Sequence, residues 1–425
     1  MNVFDATQKR LKFIFSEFDN VYVSFSGGKD SGVLLNLCVD YIRKNKLKRK
    51  IGVFHIDYEA QYQMTTDYID AELSKNPDVL DVYRICLPIA AQCATSMYES
   101  YWIPWDTEKK PLWVRPLPKD SVNESNNPLD FFVKGMWDYE LQQKFGLWFH
   151  EKNKGKRTCC LVGIRTDESM NRWRAIHSEN RTTEYRKKSW TKLTFPNVYN
   201  AYPIFDWKVV DVWTAYAKME WNYNRLYDLF HSAGLSLDKM RVASPFNDCA
   251  KESLKLYRVI DPKNWGKMIG RVNGVNFTGI YGGTTAMGWR SIKLPSGHTW
   301  KSYMEFLLST LPVATAENYK KKLEISIEFW KNRGGVLSEE IVSKLDTLGI
   351  KYVRGSVTNY KTDKLPVMMD YLDDIDIEEF REIPTYKRMC ICILKNDHLC
   401  KYMGFSLTKT EEQNRQNILR RYKNV

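Results

Sequence analysis

The residues of this chain best equipped for chemistry stand close together near its start, in "VYVSFSGGKDSGVLL", residues 21–35. Two hydroxyls, a cation and a carboxylate (Ser26, Lys29, Asp30 and Ser31) share one turn with Gly27 and Gly28. Upstream, Val21, Val23 and Phe25 fall on one side of an extended segment, with Tyr22 and Ser24 on the other. Downstream, Val33, Leu34, Leu35, Leu37 and Cys38 suit a buried helix. At such a strand-to-helix junction, unpaired backbone N–H groups and the positive end of the helix dipole can hold an anion. The spacing excludes a Walker A loop, which needs four residues between its first glycine and Gly-Lys-Ser/Thr, and it is not GxGxxG. A bare turn would account for the glycines but not for the four polar side chains clustered with them.

The elements that must position this loop alternate. "TQKRLKFIFSEF" reads as a first amphipathic helix with Thr7 as its cap. After the loop and its helix comes the basic run "RKNKLKRK", then a second apolar strand, "IGVFHIDYEA", with His55, Asp57 and Glu59 at its carboxyl end. A helix over about 64–74 and a strand "VYRICLPI" continue the alternation. A Trp-, Pro- and Lys-rich stretch near 101–152 reads as an ordered insertion, its last part a helix from about 130 to 152. "RTCCLVGIRTDES" gives another buried strand, ending in Gly163, Arg165, Thr166, Asp167 and Glu168. Asp206 or Trp207 opens a helix whose buried face includes Val209, Val210, Val212 and Trp213. This order predicts an α/β fold with a doubly wound parallel sheet. Ligands of such sheets bind beyond the carboxyl ends of the strands, where Ser24, the glycine loop, Asp57 and Glu59 fall.

With 425 residues the chain has room for more than one core. We expect the loop-bearing domain over 1–220, a mainly helical domain over 221–333 and a mixed C-terminal domain over 334–425, the last ending in a charged helix. A net charge of +13 is compatible with a nucleic-acid partner. "NRWRAIHSENR" interleaves cations with aromatic rings as phosphate contacts do, although a solvated basic face reads the same way. No apolar run approaches the ~18 residues of a membrane span. The start lacks the features of a secretory signal, and nine irregularly spaced cysteines make a poor disulfide framework. The expectation is a cytoplasmic protein with no membrane contact.

The hexapeptide SGGKDS resembles the pyrophosphate-binding loop of the N-type ATP pyrophosphatases, the adenine-nucleotide α-hydrolase-like superfamily. "LVGIRTDES" and "YPIFDWKVVDVW" are similar to segments of its phosphoadenylyl-sulfate (PAPS) reductase-like branch. The resemblance implies a HUP-like fold in which the loop grips the β- and γ-phosphates of ATP while a nucleophile attacks the α-phosphorus. Gly27 and Gly28 would let the backbone approach the phosphates. Ser24, Ser26, Lys29 and Ser31 would bind or balance charge; Asp30 would orient the loop or hold Mg²⁺ together with Asp57. Arg165, preceded by Gly163, would face the phosphates, and Asp57 and Glu59 would meet the ribose or a second Mg²⁺. Asp206, Trp207, Asp211 and Trp213 would shape the helix closing the site, the two tryptophans more as core than as ligand contacts. "PTYKRMCICILKNDHLCKYMGF" further resembles the tail of the immunoglobulin-binding regulator A type, whose members often accompany a ParB/sulfiredoxin-like partner.

The chain also departs from that branch. It has no Glu-Cys-Gly-x-His motif, which a PAPS reductase uses to attack sulfur, and no Cys-x-x-Cys to pair with Cys159-Cys160 around an iron–sulfur cluster. Cys390, Cys392, His398 and Cys400 supply zinc-type ligands, yet Cys390 to Ile393 also reads as a strand with both thiols on one face. The expected function is cleavage of an adenine nucleotide between its α- and β-phosphates to adenylate an acceptor, in nucleic-acid or sulfur-related modification. Two alternatives stay open: a nucleotide-sensing regulator acting through its partner, and a sulfonucleotide reductase or sulfurtransferase.

Overall fold

The structure is a computed structural model that describes residues 2–405, except 97–98, 169–171, 174–175, 177–182, 238–239, 241, 243, 248–249, 282–293 and 356–363. Much of "NRWRAIHSENR" and the expected last helix therefore lie outside the described residues. The described residues form two compact units, one within residues 2–92 and 101–271, the other within 93–100 and 272–405.

The first unit opens with helix α1 (Val3–Glu17), capped by Asn2 rather than Thr7. Asn2 accepts from the Asp5 N–H. Thr7 is buried inside the helix and bonds back to the Val3 carbonyl. Strand β1 (Asn20–Ser24), helix α2 (Lys29–Lys44), β2 (Ile51–Ile56), α3 (Gln63–Ser74) and β3 (Leu80–Ile85) follow in the expected alternation. Beyond a short antiparallel pair, β4 (Ala91–Gln92) and β5 (Tyr101–Trp102), come α4 (Asp138–Asn153) and β6 (Thr158–Val162). A hairpin of β7 (Thr191–Phe195) and β8 (Val198–Ala201) precedes α5 (Val209–Met219) and α6 (Leu226–Ser232).

The six-stranded sheet runs β3-β2-β1-β6-β8-β7, parallel except for β7, which pairs antiparallel with β8 at the edge. Its fold is the α/β doubly wound type expected. The edge hairpin is missing from the sequence reading because its outer strand is only half covered and shows no clean alternation. Central β1 is buried on both faces, by the α1–α2 layer and by an aromatic layer built on α4 in which Tyr22 meets Phe145 and Phe149. Helix α5 starts at Val209 and points Val210 to solvent (67% exposed), so its core stripe is Val212, Ala215 and Tyr216. Register fixes the site. Ser24 pairs with Phe54 on β2 and with Val162 on β6, so the glycine loop, the stretch beyond β2 and Gly163 to Arg165 emerge at one edge.

The second unit holds helices Trp300–Thr310, Val313–Asn332 and Tyr386–Leu394 around one core, and a small antiparallel sheet with helix Glu339–Thr347 around another. Cys390 to Ile393 lie in a helix, not a strand. A run that alternates over only four residues cannot choose between the two periods, and packing against Trp300, Leu323 and Met403 selects the helix.

Candidate functional site

The loop from Phe25 to Gly28 carries β1 into α2 with its own hydrogen-bonded scaffold. The Ser31 hydroxyl donates to the Gly28 carbonyl at 3.1 Å and lies 3.0 Å from the Ser26 hydroxyl. The Ser26 and Gly28 N–H groups donate to the Ser31 and Ser26 hydroxyls at 3.2 and 3.3 Å. Both serines are therefore spent largely on holding the turn. Gly27 has φ +75°, a left-handed conformation, and a Cβ there would meet Ile69 at 2.8 Å. Gly163 is needed for proximity instead: a Cβ on it would stand 3.0 Å from the Asp30 backbone.

The charged groups converge on Asp30. Lys29 Nζ lies 2.8 Å from Asp30 Oδ2, and Arg165 Nε donates to Asp30 Oδ1 at 2.6 Å. The guanidinium also reaches Asp167 at 3.4 Å, Glu168 at 3.5 Å and the Trp207 carbonyl at 3.4 Å. Two buried cations thus stand on one carboxylate at the N-terminus of a sixteen-residue helix, where the dipole adds about half a positive charge. An anion that approaches meets both cations already in place.

Three side chains without any recognisable motif brace this loop. Asn224 donates to the Gly27 carbonyl at 3.1 Å and to Thr65 at 2.9 Å. Tyr216 donates its hydroxyl to the Lys29 carbonyl at 2.8 Å, and Tyr227 accepts from the Lys29 N–H at 3.1 Å. An Asn between two short helices carries no sequence signal, because the carbonyl it serves lies 197 residues away.

Asp57 and Glu59 stand beyond β2 as expected, and their oxygens are engaged by protein. Asp57 accepts from Arg84 Nε at 3.1 Å, from Arg115 and from the Glu59 N–H at 3.0 Å. Burial raises its pKa, but the charge and hydrogen bond of Arg115, with Arg84 beside it, hold it well below the usual carboxylate range. Glu59, at φ +61°, receives Arg271 on both oxygens (2.8 and 3.0 Å) and the N–H groups of Trp105 and Val114. These carboxylates fasten residues 105–115 over the sheet edge. His55 is wholly buried with Nδ1 2.8 Å from the Phe25 carbonyl, and burial lowers its pKa to about 4.

Beside the loop lies a cavity of about 150 Å³ lined by Ser24, Phe25, Ser26, Phe54, Ile56 and Tyr58, with Gln61, Gln142, Val242 and Ser244. Cavities of this order accept a flat aromatic ring. Gln61 Oε1 and Ser244 Oγ are buried there with no partner among the described residues. No group of three His, Cys, Asp or Glu side chains among the described residues could hold a metal ion, and those of Cys390, Cys392 and Cys400 are buried in the second unit's core. Asp30 and Asp57 each face cations, so Mg²⁺ would have to arrive with a ligand of its own. Asp206 makes a bidentate pair with Arg10 (2.7 and 2.6 Å), and Trp207 is core, donating Nε1 to Thr7. Asp211 caps α5 through the Lys208 N–H, and Trp213 packs on Tyr216, Tyr223 and Tyr227.

Residues 20–234 match the phosphoadenosine phosphosulfate reductase domain, and residues 234–414 match a domain of unknown function, DUF3440. The uncharacterized protein YbdN of Escherichia coli (strain K12) is 32% identical over 422 residues, 98% of this chain and 94% of that protein. Among solved structures, phosphoadenylyl-sulfate reductase from Candida auris in a phosphate complex is 18% identical with a TM-score of 0.30, covering 52% of this chain and 84% of its own. Candida glabrata FMN adenylyltransferase in complex with ATP is 13% identical with a TM-score of 0.31, covering 53% and 57%. The U34-tRNA thiolase NcsA from Methanococcus maripaludis is 13% identical with a TM-score of 0.29, covering 64% and 79%.

Proposed function

The chain belongs to the phosphoadenosine phosphosulfate reductase domain family, and from that premise we propose that it binds ATP or a related adenine nucleotide at residues 24–31 and cleaves it between the α- and β-phosphates, adenylating an acceptor. The observation that carries this reading is the pairing of Lys29 and Arg165 on Asp30 at the mouth of α2. Phosphoryl chemistry asks the protein for placed positive charge more than for a nucleophile of its own. Here the acceptor's nucleophile attacks the α-phosphorus, the bond to the bridging oxygen breaks, and the pyrophosphate that leaves takes its charge onto Lys29, Arg165 and the helix N-terminus. Asp30 holds both cations in register. The base fits the adjoining cavity, where Gln61 Oε1 can accept from an exocyclic amino group. Asp57 and Glu59 act by fixing the wall above the site through Arg84, Arg115 and Arg271. Mg²⁺ would enter on the phosphates and neutralise them.

The acceptor class in this reading is nucleic acid or a sulfur carrier. A second reading has one observation in its favour: Asp30, Asp57 and Glu59 are all held by cations, which leaves none of these carboxylates free to take a proton from a nucleophile, so the site suits binding without turnover. The chain would then be a nucleotide-sensing regulator, of the immunoglobulin-binding regulator A type, working through a ParB/sulfiredoxin-like partner. Sulfonucleotide reduction has less support. All eight described cysteines are buried, and burial pushes Cys160 and Cys390 up to about 12.

ATP labelled separately at the α and γ positions tests the proposal. AMP or an AMP adduct plus pyrophosphate, lost in Lys29→Ala and Asp30→Asn, is the expected result. ADP plus phosphate would overturn it, and binding without product would favour the regulator.

A further inference from the structure

The opposite edge of the same sheet carries a concentration of positive charge that the nucleotide reading does not use. Strands β2 and β6 flank β1, and both enter the sheet at that edge after basic segments. Residues 43–50 are "RKNKLKRK" and residues 152–157 are "KNKGKR", together ten lysines and arginines. The acidic side chains beside them are Glu17, Asp19, Asp78, Asp81 and Glu151, half as many. Some of the cations serve the fold. Arg49 donates to the Phe15, Phe18 and Asp19 carbonyls, Arg157 to the Glu17 carbonyl, and Arg43 pairs with Asp78 at 3.3 Å. Lys44, Lys46, Lys48, Lys154 and Lys156 are exposed, and none of their ammonium groups pairs with an acidic side chain among the described residues, although the Lys156 N–H donates to Asp19 at 2.8 Å.

Helix dipoles explain part of this charge. Helices α1, α2 and α4 all end at this edge, each with about half a negative charge. That is about one and a half charges, too little to account for an excess of five cations. Two of these lysines also close helices, as Glu220 does at the end of α5. Lys46 (φ +50°) and Lys154 (φ +48°) occupy the left-handed positions that close α2 and α4, where glycine or asparagine is the low-energy choice. Arg186, which pairs with Glu17 at 2.6 Å, is left-handed too.

We propose that this face is a docking surface for the phosphate backbone of a nucleic acid. Unpaired lysines at the entries of β2 and β6, one run on each side of β1, match a periodic polyanion, and long flexible ammonium groups suit contact without base reading. Beta strand β1 spans five residues, about 17 Å at 3.3 Å per residue, so the docked backbone is held on the far side of the sheet from the glycine loop. The surface therefore anchors a polymer and does not itself present a base for reaction.

Fluorescence anisotropy with labelled single-stranded DNA, duplex DNA and tRNA, titrated across a range of KCl, tests this. Lys44→Glu/Lys46→Glu/Lys48→Glu is compared with the charge-matched change Lys320→Glu/Lys321→Glu/Lys331→Glu on helix Val313–Asn332. Thermal melting shows that each variant folds. We expect binding that weakens with salt, at least a tenfold loss in the first variant, a log–log salt slope shallower by about two to three, and no more than a twofold change in the control. No binding by the wild type at low salt, equal losses in the two variants, or tighter binding to phosphatidylserine vesicles than to nucleic acid would each overturn the proposal.

Discussion

Arg165 donates Nε to Asp30 Oδ1 at 2.6 Å, tying the segment that leaves β6 to the first turn of α2 across 135 residues of sequence. The pair sits at the mouth of α2, with Lys29 on the other oxygen. Arg165→Ala leaves Asp30 with one cation and removes one from the site. Isothermal titration with ATP and with pyrophosphate is expected to show at least a tenfold weaker affinity for both. Arg165→Lys should restore only part of it, because an ammonium cannot serve Asp30, Asp167 and Glu168 together. Unchanged pyrophosphate affinity would remove Arg165 from the site.

Asn224 is the brace that sequence patterning does not reveal. Asn224→Ala deprives the Gly27 carbonyl and Thr65 of their donor, a loss of about 1–3 kcal/mol for a buried polar contact. Urea unfolding gives the stability cost. Nucleotide affinity measured well below the unfolding transition should fall too, and further in Asn224→Asp, which keeps the acceptor for the Leu226 N–H but sets a carboxylate against the Gly27 carbonyl beside the anion site. Equal affinities would assign Asn224 to the fold alone.

Gln61 and Ser244 give a prediction about the base. Their buried oxygens face the cavity without a partner among the described residues, so a ligand amino group that meets them gains about a hydrogen bond's worth. Wild type should bind ATP about tenfold tighter than ITP, which lacks the amino group. Gln61→Leu should bring that ratio close to one while leaving pyrophosphate binding unchanged.

Acid should destabilise the first unit in two stages. His55 is held neutral, down to about 4, so the unfolded chain takes up a proton below ~6.5 that the folded one refuses. The stability tied to it is present above pH 6.5 and is lost toward pH 4, roughly 3 kcal/mol in all. Asp57 acts in the same direction at lower pH, since its depressed pKa gives stability that disappears as the carboxylate is protonated. Urea denaturation at stepped pH should show stability falling from pH 6.5 to 4, with His55→Asn flattening that window. A flat wild-type profile there would contradict the assignment.

The sequence by itself determined the parallel α/β alternation, the strand-to-helix turn at Ser26 to Ser31, and the arrival of Arg165 at the same sheet edge. Those features are local: strand period, helix period and turn chemistry are written within ten residues of one another. It also carried the core placement of Trp207, whose spacing with Trp213 reads more as core than as ligand contact. Tertiary structure decided which charges meet. Asp57 and Glu59 look free at the end of a strand, yet Arg84, Arg115 and Arg271 arrive from elsewhere to occupy them, the last 212 residues away. It decided equally that Asn224, Tyr216 and Tyr227 hold the loop, that Cys390 and Cys392 ride a helix, and that two separate basic runs meet at one sheet edge on either side of β1. Polar partnership between distant segments depends on where the chain folds back, and no short-range period encodes that.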